Sequence, residues 1–242
     1  MELDMKTRKI SRLQKPSFQS CEVVVNEEIA DNIWDLRLRP QTHFSFAPGQ
    51  FAILATADSA KTKRAYSIAG TDGDTMHFIY KRVENGIFTS HLARLKPGDE
   101  VQAQGPYGQF VLQATETPKL LLATGVGLAP FSMFLDTLIT DAPHVPVRLL
   151  FGVRYSKEIF WSERFSRLAA LNPNFDYRII VSRPDASWAG ARGRITQHLD
   201  DVPGLADREC YLCGSQAMIQ DASALLRQNG VPEEQIYHEK FY

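Results

Sequence analysis

The chain has 242 residues, 44% of them hydrophobic, enough for one large domain or two modest ones. Its 27 basic and 28 acidic side chains leave a formal net charge of −1, which argues against nucleic acid or another polyanion as partner. No apolar run approaches the length of a membrane span, and three cysteines, an odd count, suit a reducing cytoplasm.

Residues 1–16 are polar and carry Lys6, Arg8, Lys9, Arg12 and Lys15 without an apolar stretch, so they read as a solvated tail and not a secretory signal. Residues 17–116 form a first unit of short β-rich runs broken by turns. The runs are Cys21–Val25, Ile33–Leu38, Phe51–Ala55, Tyr66–Ala69 and His77–Val83, punctuated by Pro48-Gly49, Asp72-Gly73, Pro97-Gly98 and Gly105-Pro106. Strands at this spacing predict a small antiparallel barrel or sandwich.

Three stretches of this unit carry more than scaffold. In Arg64-Ala65-Tyr66-Ser67, alternation puts Arg64 and Tyr66 on one face, so a single ligand could meet a phosphate clamp and a flat ring. Gly86 and Thr89 open a brief helix, with an amphipathic stretch at His91–Leu95, and offer backbone N–H groups and a hydroxyl to an anion. Gly105-Pro106-Tyr107-Gly108 by itself reads only as a tight turn.

From residue 117 to 242 the texture changes to alternating strand and helix patterns, which predict an α/β doubly wound parallel sheet. Leu120–Ala123, Val147–Val153, Tyr177–Ser182, Glu209–Cys213 and a run near Ile236–Glu239 read as strands. Ala129–Thr140, Lys157–Leu171, Arg194–Leu199 and Gln216–Gln228 read as helices. The first strand runs into Thr124-Gly125-Val126-Gly127-Leu128-Ala129-Pro130, a glycine turn that lets the backbone approach a pyrophosphate at a helix N-terminus. Pro130 takes the third place of the usual G-x-G-x-x-G, so the common dinucleotide fingerprint is absent. Thr124, Gly125, Arg154, Ser182, Arg183, Cys213 and Gly214 all fall at C-terminal strand ends, where open α/β sheets bind ligands.

Arg154 and Arg183 each follow a buried strand where a common NAD site would place an acid. Ser182-Arg183 suits a 2′-phosphate instead, although the acidic Asp185 follows closely. Cys210 and Cys213 lie three apart in a strand and so point to opposite faces, which argues against a disulfide. The six histidines are dispersed without ligand spacing, so no metal site is expected, and no C-x4-C-x2-C run marks an iron–sulfur domain.

The order R-A-Y-S, G-x-x-T before a helix, K-P-G-D, G-P-Y-G and T-G-V-G-L-A-P, with C-G and E-K-F near the end, resembles the ferredoxin–NADP reductase family of flavoproteins from about Phe18 to Tyr242. The resemblance implies an FAD-binding antiparallel barrel followed by an NAD(P)-binding α/β domain. It implies that Arg64 holds the FAD pyrophosphate, Tyr66 packs on the isoalloxazine and Ser67 bonds its N5. The backbone of Ile79, Tyr80 and Lys81 would flank the flavin, and Gly86 and Thr89 would cap the phosphates. Gly127 belongs to the nucleotide turn, Cys213 would lie beside the nicotinamide, and Glu239 would be the active-site carboxylate. Phe241 is the preferred flavin-stacking aromatic and Tyr242 the alternative. The implied activity passes electrons between NADPH, with NADH left open, and ferredoxin, flavodoxin or another redox carrier. The NADH-dependent reductase component of an oxygenase system is the close rival, and a non-catalytic nucleotide-responsive module the rival of another class.

Overall fold

The computed structural model describes residues 17–56 and 59–241. The tail 1–16 and Tyr242 lie outside the described residues, as does the side chain of Phe241. The first unit is a closed antiparallel barrel of β1 (Gln19–Ala30), β2 (Ile33–Pro40), β3 (Phe51–Thr56), β4 (Ser59–Asp72), β5 (Thr75–Lys81) and β6 (Glu100–Tyr107), in the order β1-β2-β5-β4-β3-β6. Alternate residues point inward, so Val23, Leu36, Leu38, Leu54, Phe78 and Val101 fill the lumen. Register shifts in β1 between Val23 and Val25, and between β4 and β5 at Ile68 and Gly70, bend the strands enough to close the barrel. α1 (Ile87–Leu92) plugs one end with Phe88 and Leu92.

The second unit is a six-stranded parallel sheet in the order β10-β9-β8-β7-β11-β12. Its strands are β7 (Lys119–Thr124), β8 (Val147–Val153), β9 (Phe175–Val181), β10 (Ala191–Arg192), β11 (Glu209–Ser215) and β12 (Ile236–Phe241). Strand alternation divides the apolar side chains between two faces. Leu121 and Ala123 face α2 (Ala129–Asp141) and α3 (Ser162–Leu171), while Leu120 and Leu122 face α4 (Gln216–Gln228). Because β8 and β11 lie on opposite sides of β7, the order reverses there and leaves a crevice beyond the C-terminal ends of these strands. Cys210 packs on the α4 face and Cys213 on the α2 face, both as free thiols.

Several element boundaries differ from the pattern in the sequence. The helix expected from Lys157 begins only at Ser162, because a 3₁₀ turn at Ser156–Glu158 and a left-handed Trp161 (φ 61°) intervene. The helix expected at Arg194–Leu199 is a 3₁₀ turn, Ile195–His198. Gly105–Tyr107, read as a turn, continues β6, and β4 extends well beyond Tyr66–Ala69 on both sides. The brief helix ends at Leu92, short of Leu95.

The two units share a core. Ile33, Ala69 and Ile79 on the outer wall of the barrel belong to the same buried cluster as Phe131, Phe134 and Leu135 of α2. The linker is fixed at both ends. Gln50 Nε2 donates to the Gly108 carbonyl at 3.2 Å, and the Gln113 N–H donates to the Tyr211 hydroxyl at 3.0 Å. Below Tyr211, the fully buried Lys119 ammonium pairs with Glu209 at 2.7 Å and bonds Thr115 through both its carbonyl and its hydroxyl. A buried charge that loses its partner costs about 3–5 kcal/mol. Lys119→Ala should therefore destabilise the protein by about that amount in urea unfolding, while Lys119→Met with Glu209→Gln should recover most of it. Equal losses in the two variants would mean that packing, not charge, sets the cost.

Candidate active site

Ser67 sits in β4 on the barrel and Glu239 in β12 on the sheet, 172 residues apart, yet Ser67 Oγ donates to Glu239 Oε2 at 2.9 Å. Ser67 is buried, and Gly108 closes the same spot, since a Cβ there would lie 3.4 Å from Glu239 Oε1. Cys213 is the β11 neighbour of Glu239 in the sheet register and is fully buried. Burial pushes its thiol well above the ordinary range, and the nearby Glu239 charge pushes it further, so Cys213 is a neutral thiol and not a nucleophile. Burial also raises the Glu239 carboxyl above the usual range, and the Ser67 hydroxyl offsets only part of that rise.

One edge of this site is an aromatic platform. The half-buried Tyr66 ring stacks on Phe88 at 6.0 Å and meets Tyr80 edge-on at 6.3 Å, so its orientation is set by packing. Arg64 is exposed, donates to the Lys63 carbonyl and has no ion pair among the described residues. Thr89 Oγ1 accepts from the Val83 N–H at 3.1 Å, which folds the turn before α1 around Gly86. Tyr80 and Ile79 bury their side chains, so they can present only backbone to a ligand.

The other edge is a cleft of about 770 Å³ at the strand ends. Thr124, Gly125, Gly214 and Ser215 form its floor, with Lys81, Arg154, Glu158, Ser182, Arg183 and Arg194 around it. Gly127 allows the turn after β7 to approach β11, since a Cβ there would lie 2.3 Å from the Cys213 carbonyl oxygen. Gly214 is equally constrained, with φ +142° and Thr124 Oγ1 2.1 Å from the place of a Cβ. α2 carries Pro130 in its first turn, where a missing N–H costs nothing. Arg154 and Arg183 are exposed and form no ion pair among the described residues, and Ser182 Oγ donates to the Val153 carbonyl at 3.3 Å. Asp185 does not line the cleft: Ser156 and Ser187 occupy its carboxylate.

Glu158 is the site residue that pattern in the sequence did not reveal. Its Oε1 pairs with Lys81 of the barrel at 2.5 Å, and its Oε2 accepts from the Arg154 and Tyr155 N–H groups. Burial acts to raise its carboxyl, but the Lys81 ammonium and those N–H groups pull it below the usual range. A lone Glu after Ser-Lys gives no hint of this, because the pairing depends on how the units dock. Arg194 and Thr196 also line the cleft, carried there by the 3₁₀ turn that replaced the expected helix.

The geometry therefore offers a flat aromatic seat beside an unpaired arginine, a cationic cleft floored by a glycine turn, and a Ser–Glu contact where the two meet. An FAD fits the first and a dinucleotide the second. Among the described residues no helix is long and apolar enough to cross a membrane, and no group of three or more His, Cys, Asp and Glu could hold a metal ion.

Family models agree with this division. Residues 20–112 match the oxidoreductase FAD-binding domain and residues 121–224 the oxidoreductase NAD-binding domain. The toluate 1,2-dioxygenase electron transfer component of Pseudomonas putida is 33% identical over 81% of this chain, which spans 59% of that protein's length. The reductase component of the naphthalene 1,2-dioxygenase system of Pseudomonas putida, a ferredoxin–NAD(P)(+) reductase, is 31% identical over 91% of this chain and 68% of its own length. Among solved structures, the Amycolatopsis cytochrome P450 reductase GcoB superposes with a TM-score of 0.87 at 27% identity, covering 95% of this chain and 72% of that one.

The raised Glu239 carboxyl has a sign that can be checked. Its folded pKa lies above the unfolded value, so the folded state holds the extra proton between the two values. Its burial penalty is absent below the unfolded pKa and grows as pH rises toward the folded one. Glu239→Gln, which cannot ionise, should therefore gain stability relative to the parent as pH rises from 4 toward neutrality. Urea unfolding across that range measures the gap, and a gap independent of pH would contradict the raised carboxyl.

Proposed function

Because this chain belongs to the ferredoxin–NADP reductase-like family of FAD- and NAD(P)-binding oxidoreductases, we propose that it takes electrons from NADPH and delivers them singly to a redox carrier protein such as ferredoxin or flavodoxin. The observation that carries this reading is the Ser67–Glu239 hydrogen bond above the buried Cys213, at the junction of the aromatic seat and the cationic cleft. Arg64 and the Gly86–Thr89 turn would hold the FAD phosphates, Tyr66 would lie along the flavin ring, and the Thr124–Gly127 turn would take the dinucleotide pyrophosphate. Bound FAD supplies the chemistry that the side chains lack, accepting a hydride from nicotinamide and releasing single electrons.

The chain's own residues position the rings and hold a proton. Ser67 has one hydroxyl hydrogen, so were it to serve a flavin held here, Glu239 would no longer receive it. A Glu239 carboxyl with a raised pKa can then keep a proton itself and donate to Ser67 Oγ, so the contact survives with its direction reversed. Cys213 contributes a neutral, polarisable wall where the nicotinamide would lie. Phe241, whose backbone extends β12 opposite Ser215, or Tyr242 beyond it, would cover the flavin until nucleotide arrives.

NADPH is preferred over NADH because Lys81, Arg154, Arg183 and Arg194 outnumber Glu158 and Asp221 around the cleft. Glu158 is already paired with Lys81, which leaves Arg154 and Arg183 free for a 2′-phosphate. A second reading, delivery of electrons to an oxygenase system, is favoured by the relatives named as dioxygenase components. Cytoplasmic placement accords with three free cysteines.

Rapid mixing of the FAD-loaded protein with NADPH and with NADH tests the core of this reading. Cys213→Ala should slow flavin reduction while FAD stays bound, and Cys210→Ala, on the opposite face, should leave the rate unchanged. Equal effects of the two changes would remove Cys213 from the hydride site. Arg183→Ala should weaken NADPH selectively, by roughly tenfold or more if a charge-assisted bond of about 1.5–3 kcal/mol is lost. Equal losses for NADPH and NADH would place Arg183 on a part of the nucleotide that both share.

A further inference from the structure

Beyond the ends of β8 and β9 the two chains stay zipped together. The Ser182 N–H donates to the Val153 carbonyl at 3.0 Å and the Arg183 N–H to the Arg154 carbonyl at 2.8 Å. Two residues further along each chain, Ser156 Oγ donates to Asp185 Oδ2 at 2.6 Å. The other oxygen, Oδ1, accepts from the Ser187 N–H at 2.9 Å and from its hydroxyl at 2.5 Å. Asp185 is exposed, does not line the cleft, and has both carboxylate oxygens bonded within these segments. Arg154 and Arg183 lie between the strand ends and this last rung, and both line the cleft.

We infer that Asp185 is a positioning residue for 2′-phosphate recognition: through Ser156 it fixes the spacing of Arg154 and Arg183, and so favours a phosphorylated adenosine despite its own negative charge. The inference rests on the NADPH reading above. An acid beside a phosphate subsite would ordinarily be expected to repel the phosphate. Here three donors hold the carboxylate in place, and the Ser156 hydroxyl, with the two Ser187 donors behind it, depresses its pKa to about 2. The carboxylate is therefore fully ionised at neutral pH and its hydrogen bonds to Ser156 and Ser187 are charge-assisted. Arg183 also reaches the Tyr155 hydroxyl at 3.5 Å, within the same two segments that the rung ties together.

Repulsion and positioning predict opposite signs. Adenosine 2′,5′-bisphosphate and 5′-AMP, titrated calorimetrically into the FAD-loaded protein, separate them without any turnover. The parent protein should bind the bisphosphate more tightly than AMP. Asp185→Ala should weaken bisphosphate binding roughly threefold or more and leave AMP unchanged, an exposed tie having modest strength. Ser156→Ala keeps the Asp185 charge and loses only the tie, so it should reproduce most of that loss. Tighter bisphosphate binding in Asp185→Ala, with no change in Ser156→Ala, would make the carboxylate a repulsive gate and overturn the inference. Selective loss of AMP affinity would overturn it too, by making Asp185 a ribose ligand. A parent protein that binds both nucleotides equally would instead sink the NADPH reading, and this inference with it.

Discussion

The contact on which the site depends is the hydrogen bond between Ser67 and Glu239, because its partners stand on different units. Neither the barrel nor the sheet contains the site alone; it exists where β4 and β12 are brought within bonding distance. Everything that fixes the docking therefore acts on the chemistry. Lys81 and Glu158 tie the barrel to the nucleotide side, Asp31 and Lys157 add a second tie at 3.1 Å, and the linker is bonded to both units. Such ties are individually modest where exposed. Their effect is geometric, since a hydrogen bond tolerates little displacement before it weakens.

Electrostatics divides the same junction into two regions. Around Glu239 and Cys213, burial disfavours charge, and both groups are shifted toward their neutral forms. After β8 and β9, Glu158 and Asp185 are held in their charged forms by donors placed around them. A neutral pocket suits close approach of two uncharged rings, whereas phosphates suit the cleft, where Glu158 is paired with Lys81 and Asp185 with Ser156 and Ser187, so that neither carboxylate opposes the exposed Arg154 and Arg183. The strand ends supply both environments because Glu239 of β12 meets Ser67 of the barrel, while Arg154, Ser182 and Arg183, which follow β8 and β9, are exposed.

Much of this architecture was legible in the sequence. The change in texture near Pro118 separates barrel from sheet because a half-buried antiparallel strand and a fully buried parallel one bury different side chains. The glycine turn after Ala123 and the opposite facing of Cys210 and Cys213 follow from local rules alone. What failed was also local. The run from Lys157 to Leu171 looks continuously helical, yet Trp161 adopts a left-handed conformation and packs against the shared core, while Arg164 beside its ring bonds Ser132 and Asp136 of α2, so tertiary packing overrides propensity. Glu158 was invisible for a different reason: its partner Lys81 is 77 residues away on the other unit, and no spacing rule connects them.

The shared apolar core bears on how such a chain can be recombined. The matched regions 20–112 and 121–224 are recognisable as separate modules. Physically, however, they meet through a wall: Ile33, Ala69 and Ile79 on the barrel are buried in one cluster with Phe131, Phe134 and Leu135 of α2. A barrel grafted onto a foreign sheet would inherit that exposed wall unless the new helix carried matching shapes, and uncovered aliphatic surface of this kind invites self-association. Modularity at the level of sequence thus ends at one helix face. Moving the barrel together with that helix would not avoid repacking, because α2 also packs on Leu121 and Ala123 of β7, so a boundary drawn through the linker divides a single folded object.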